Sequence, residues 1–217
     1  MSTVEFSAAQ KVRVFIDFWN FQLSARDALG RNTRADWERL PRWLGTEAAA
    51  RITGIDAASL RYEGAMVYVS AAPGEREAGL RTWATKFLAR VPGVTVVLKD
   101  RVKKHPPVCQ ACHKPVATCC NCGAALSLTE EKGIDVAIAA DMIRLAWEEA
   151  YDWAVLVSSD RDFIPAVEFL NGKGRKVLHA GFPPRGSELA SKCWGSIDLL
   201  PHLPALERQE ATSSADE

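Results

Sequence analysis

Two short apolar runs, Val12-Arg13-Val14-Phe15-Ile16 and Trp153-Ala154-Val155-Leu156-Val157, each pass directly into acidic residues. Each has the length and composition of a buried strand. The first delivers Asp17 with Asn20 three residues on; the second delivers Ser158-Ser159-Asp160-Arg161-Asp162. Between them, Lys132-Gly133-Ile134-Asp135 opens a long helical pattern. Strands alternating with helical stretches spell βαβ units on a mainly parallel sheet, where ligands sit outside the carboxyl ends of strands. Acids sent to that edge repel: two unit charges 4 Å apart at an effective dielectric of 20 cost about 4 kcal/mol. Such a group must protonate, find cationic partners, or hold a hard divalent cation through oxygen ligands. One Asp after a strand is ordinarily a helix cap or turn residue. Two strand ends and a helix start sharing the pattern favour a common cation site.

The 217 residues suffice for one α/β domain with an insertion. The 27 basic and 27 acidic side chains balance, so no global charge points to a partner, and 47% hydrophobic content suits a packed core. The start lacks a basic and apolar leader, and no segment has the ~18 uninterrupted apolar residues that span a bilayer. The expectation is a cytoplasmic protein without a membrane partner; self-association is left open. Strands are expected at 12–17, 64–70, 94–99, 153–158 and 175–180. Helices are expected at 75–90, 133–149 and 162–171, with a helical excursion over 33–52 interrupted or restarted near Pro41. The polar tail 207–217 is expected to be disordered, and no internal repeat is found.

Residues 100–128 break this rhythm, with five of the six cysteines and three prolines. Cys109-Gln110-Ala111-Cys112 is followed, six residues later, by Cys119-Cys120-Asn121-Cys122-Gly123. Four thiolates at Cys109, Cys112, Cys119 and Cys122 match a closed tetrahedral structural Zn²⁺ site, in an insertion expected over 104–126. Cys120 is expected to point away, with His105 and His113 as alternative ligands. Disulfides are one rival account, but nothing points to an oxidising compartment; metal-free buried cysteines are another, but the segment is too poor in apolar residues to form a core for them. Lone Cys193 reads as a small core residue.

From Lys86 to Lys114 seven basic residues face one acid, Asp100. Such a run is often a solvated face, but it borders and enters the insertion, so Lys99, Arg101, Lys103, Lys104 and Lys132 are candidate contacts to a phosphate backbone. The tryptophans sit mostly on apolar stripes, which favours packing over base stacking for all but Trp19.

The stretches Phe15-Ile16-Asp17-Phe18-Trp19-Asn20, Lys132-Gly133-Ile134-Asp135 through Asp141, and Val155 through Pro165 together resemble the NYN family of PIN-like nucleases. The resemblance spans about 11–182 outside the insertion, and the nuclease domain is expected over 11–200. It implies a doubly wound PIN-like α/β fold with helices on both faces of a mainly parallel sheet. It also implies a Mg²⁺- or Mn²⁺-dependent acidic site acting mostly on RNA. Carried over by position, the metal-site acids are Asp17, Asp135, Asp160 and Asp162, with Asn20 beside them. Ser159 stands where many relatives have Gly. Asp141 matches the motif too, but it lies about 240° around a helix from Asp135, so it is expected to support and not to ligate. Ser158 is expected to bond an adjacent carboxylate. Three rivals remain: an inactive nucleic-acid-binding or assembly module of the same fold, a Toprim-like site, and a haloacid-dehalogenase-type phosphatase. The last needs Asp-x-Asp after the first strand, where this chain reads Asp17-Phe18-Trp19.

Overall fold

The computed structural model describes residues 9–74, 77–103, 106–124, 126 and 129–208, with Lys103 and Thr129 described in backbone only. Six parallel strands form one sheet in the order β3-β2-β1-β6-β7-β8. They are β1 (Gln10–Asp17), β2 (Leu60–Ala71), β3 (Val94–Asp100), β6 (Trp153–Val157), β7 (Lys176–Gly181) and β8 (Gly195–Asp198). Two short strands, β4 (Val102–Lys103) and β5 (Thr129–Glu130), pair antiparallel as a separate stem.

Helices cover both faces. Helix α1 (Phe18–Leu29), α2 (40–53) and α3 (78–90) pack with the short helical turn around Leu203 and Leu206 against Val12, Val14, Ile16, Val155 and Val157. Helices α4 (Ile134–Trp147) and α5 (Ile164–Gly172) pack on the other face against Phe15, Ala154 and Leu156. Neighbouring strand residues therefore feed opposite cores, which is why β1 and β6 read as apolar runs and not as alternating patterns. Among the described residues, no helix is long and apolar enough to cross a membrane.

The chain builds outward from β1 through β2 to β3, then returns to β6 on the other side of β1 and proceeds to β8. The strand order thus reverses between β1 and β6, whose last pair is Ile16 opposite Val157. A crevice forms at such a switch point, outside the carboxyl ends of the two strands. The next residues are Asp17 and Ser158.

Three elements differ from expectation. Helix α1 follows β1 without a linker: Asp17 caps it and Gly30, in the left-handed region at φ 68°, ends it. Strand β2 starts four residues earlier than expected, next to a register shift opposite Val12 and Arg13. The edge strand β8 was not anticipated; its four residues carry too little pattern. Pro41 stands in the first turn of α2, where its fixed φ and missing N–H are tolerated, so it starts that helix. Glu207, placed in the expected tail, forms a two-pronged ion pair with Arg31. The tail from 209 onward, Lys104 and His105 lie outside the described residues.

Candidate active site at the β1–β6 switch

Asp17 is 4% exposed. Its Oδ1 accepts the Asn20 backbone N–H at 3.1 Å, capping α1, and its Oδ2 accepts the Ser158 hydroxyl at 3.4 Å. Burial pushes its carboxyl up from 3.8 to about 7; Glu131 and Asp135 add to the rise, and the Asn20 and Ser158 bonds oppose it.

The exit of β6 is tied to the exit of β1. The Asn20 Oδ1 accepts the Ser159 backbone N–H at 2.8 Å. Ser158, 2% exposed, accepts the Asp160 N–H at 3.2 Å with its hydroxyl oxygen. Asp160 in turn caps the turn 161–163 by accepting the Asp162 N–H at 2.9 Å. Ser159 fits this loop because its hydroxyl stands 3.4 Å from that of Ser24 and because residue 186 is glycine. A Cβ at Gly186, whose φ is 77°, would meet the Ser159 Cα at 2.9 Å. From behind, His179 donates from Nε2 to the Ser158 carbonyl at 2.9 Å. It is 2% exposed, and burial holds its pKa below the usual histidine value, which favours the neutral ring.

Gly133, at φ 76°, turns the chain into α4, which carries Asp135 in its first turn. Burial raises the Asp135 pKa, followed by the charges of Asp160, Glu131 and Asp162. Asp135 therefore feels both acids of the β6 exit, and Asp17 feels Asp135. Asp162 is exposed. Asp141 faces elsewhere: its carboxylate accepts the Tyr68 hydroxyl at 2.9 Å and pairs with Arg144 at 3.0 Å.

Sequence reasoning passed over Glu131 and His179. Glu131 sits two residues ahead of Gly133 and accepts the Ser70 hydroxyl. Only the run of acids before Lys132 hinted at it. His179 is an isolated histidine within an apolar strand and carries no motif.

Of the candidate basic contacts, Lys99 and Lys132 are exposed, and Lys132 pairs with Glu130 at 3.1 Å. Arg101 is half-buried: its guanidinium lies 5.0 Å from the centre of the Trp19 ring, and its Nε donates to Ser70. Trp19 is half-buried as well and donates from Nε1 to the Ser70 carbonyl at 2.7 Å. The Lys103 side chain and Lys104 lie outside the described residues.

The insertion contains two knuckles of one design. Cys109 N–H donates to Lys114 O and His113 N–H to Cys109 O; ten residues on, Cys119 N–H donates to Ala124 O and Gly123 N–H to Cys119 O. Val116 N–H to Pro107 O and Leu126 N–H to Ala117 O complete the correspondence. In both, backbone N–H groups aim at the first sulfur and lower its pKa: those of Cys112 and Ala111 at Cys109, those of Cys122 and Asn121 at Cys119. The backbone therefore repeats where the sequence showed no repeat. Cys120 takes the place of Gln110. All six cysteines are free thiols.

Among the described residues, no three His, Cys, Asp or Glu side chains gather into a ready-made ligand shell. The aspartates nevertheless feel one another's charge, and the thiols stand in two close pairs. The donor chemistry fits: hard oxygens whose repulsion a divalent cation would relieve, and thiols already solvated by amides.

The family model of the NYN domain matches residues 11–200. The chain belongs to the NYN domain family. Members are in general metal-dependent nucleases acting on RNA. A crystal structure of a protein of unknown function from Vibrio parahaemolyticus RIMD 2210633 has the same fold. Its TM-score is 0.59 at 20% identity, over 90% of this chain and 96% of that one. No curated protein matches this NYN chain.

Proposed function

We propose that this NYN protein is a divalent-cation-dependent nuclease that hydrolyses phosphodiester bonds in RNA. The observation that carries the reading is the meeting of Asp17 and the Asp160 turn at the β1–β6 switch, with burial and neighbouring acids raising Asp17 to about 7. A buried carboxylate crowded by like charges is a poor arrangement by itself and a good one around a cation.

Asp17 and Asp160 would hold the cation directly, and Asp135 and Asp162 directly or through water. Magnesium or manganese, when bound, would polarise the phosphate and lower the pKa of an attacking water. Asn20 fixes the two acid-bearing turns through Oδ1, and its Nδ2 orients a water or a phosphate oxygen. Ser158 keeps Asp17 and the Asp160 amide in register. Lys99, Lys103, Lys104 and Lys132 supply backbone-phosphate contacts, and Arg101 supports the site from within.

Cys109, Cys112, Cys119 and Cys122 hold a structural Zn²⁺. The two matching knuckles support this assignment: in each, amides already point at sulfur, which favours the thiolates a zinc ion needs. Bringing the two pairs onto one ion would close the insertion into a compact unit.

Incubation with labelled RNA and DNA panels in magnesium, manganese or EDTA tests the reading. Cleavage of RNA that requires the cation is expected. Cleavage that persists in excess EDTA overturns it.

A further inference from the structure

The cysteine insertion leaves the sheet and returns to it through two residues that meet. Arg101 lies between β3 and β4, and Glu131 lies between β5 and the Gly133 turn into α4. Strands β4 and β5 pair Val102 with Glu130 and Lys103 with Thr129, so Arg101 and Glu131 are the next residues at the base of the stem.

Both reach the same hydroxyl. Ser70, 1% exposed near the end of β2, donates to Glu131 Oε2 and accepts from Arg101 Nε at 3.1 Å. A serine hydroxyl has one proton, so serving one acceptor and one donor fixes its direction. Arg101 is itself held at several points. Its backbone N–H donates to Ala71 O at 3.0 Å, its guanidinium covers the Trp19 ring, and its Nη1 lies 3.9 Å from Glu77 Oε1. Trp19 stands two residues beyond Asp17 on α1. The base of the insertion is therefore packed against the element that Asp17 caps, and Trp19 and Arg101 both hydrogen-bond Ser70.

Glu131 is half-buried at the carboxyl edge of the sheet: its partner Ser70 stands two residues beyond Tyr68, which pairs with Asp17 across β1 and β2. The Ser70 bond engages Oε2, and a cation contact needs only Oε1. Ligating carboxylates are commonly oriented by a hydrogen bond of this kind.

We propose that Glu131 is a further cation-holding acid of the site, and that Ser70 and Arg101 position it, so that the stem of the cysteine insertion sets the site's affinity for a divalent cation. The proposal rests on the cation-dependent reading above. It gives the insertion a second role besides contacting nucleic acid: a change in the stem shifts Glu131 and hence the cation.

Titration calorimetry of the full chain with Mn²⁺ tests this, comparing Glu131→Gln, Ser70→Ala, Asp17→Asn and a distant control, Glu148→Gln. Glu131→Gln and Ser70→Ala are each expected to weaken Mn²⁺ binding about 10-fold or more, with the control unchanged. Thermal unfolding reports folding separately: a purely structural Ser70 would lower the melting temperature and leave Mn²⁺ affinity intact. Unchanged affinity in Glu131→Gln, with binding lost in Asp17→Asn, overturns the proposal alone. Weakening in Glu131→Gln but not in Ser70→Ala overturns the positioning role. A wild-type protein that takes no Mn²⁺ overturns the cation-dependent reading and this proposal together.

Discussion

Asn20 accepts the backbone N–H of Ser159 at 2.8 Å, and this bond joins the exit of β1 to the exit of β6. The two acid-bearing turns come from residues about 140 positions apart in the chain, and their relative placement depends on side-chain bonds of this kind. Replacing Asn20 by Ala leaves the Ser159 N–H without its partner, at a cost of about 1–3 kcal/mol. We expect chemical denaturation to show that loss. Activity should fall further than stability alone explains, because the spacing of Asp17 and Asp160 relaxes. Wild-type cleavage rates in Asn20→Ala would remove Asn20 from the account.

The Asp17 carboxyl gives a signed pH dependence. In protein stripped of divalent cations its pKa is raised from 3.8 to about 7, with burial the largest cause. Between those values the folded state binds a proton that the unfolded state releases. The associated stability is therefore present below about 4 and lost as pH rises through about 7, on the order of a few kcal/mol in total. Asp135 shifts in the same direction. Melting curves in chelator from pH 5 to 8 should fall for wild type relative to Asp17→Asn. Mn²⁺ affinity should run oppositely, rising as the carboxylate ionises. A pH-independent difference between the two proteins contradicts the assignment.

Zinc content checks the insertion. One zinc per chain is expected by elemental analysis. Cys120→Ser should retain it, because Cys120 matches Gln110 of the first knuckle, and Cys112→Ser should lose it. Loss on Cys120→Ser but retention on Cys112→Ser reverses the ligand assignment.

Replacing Lys103 and Lys104 with Ala should weaken binding to all RNA sequences alike. For single-stranded RNA the slope of log K against log salt should flatten by about 0.7 for each phosphate that is no longer neutralised. An unchanged slope moves the binding surface away from the insertion.

The sheet was legible because β1, β6 and β7 are buried on both faces, which forces continuous apolar runs. Asp17, Asp135 and Asp160 were legible because each stands at a strand end or a helix start. Helix α1 was missed, although its cap Asp17 and its terminating Gly30 both stand in the sequence; a cap role for Asp17 was weighed, but no helix was drawn from it. Glu131 and His179 depend on partners far along the chain, Ser70 and Ser158, which no local pattern reveals. The knuckle repeat was hidden because the two ten-residue units share little beyond the cysteines, while backbone bonding tolerates side-chain change.

Cleavage of a labelled RNA by wild type, Asp17→Asn and Asp160→Asn in saturating Mn²⁺ tests the central claim most directly. Each substitution keeps the shape of the side chain and removes one charge at the cation. The account predicts rates lower by orders of magnitude in both variants, each of which still folds and unfolds cooperatively. Wild-type rates in both would contradict it.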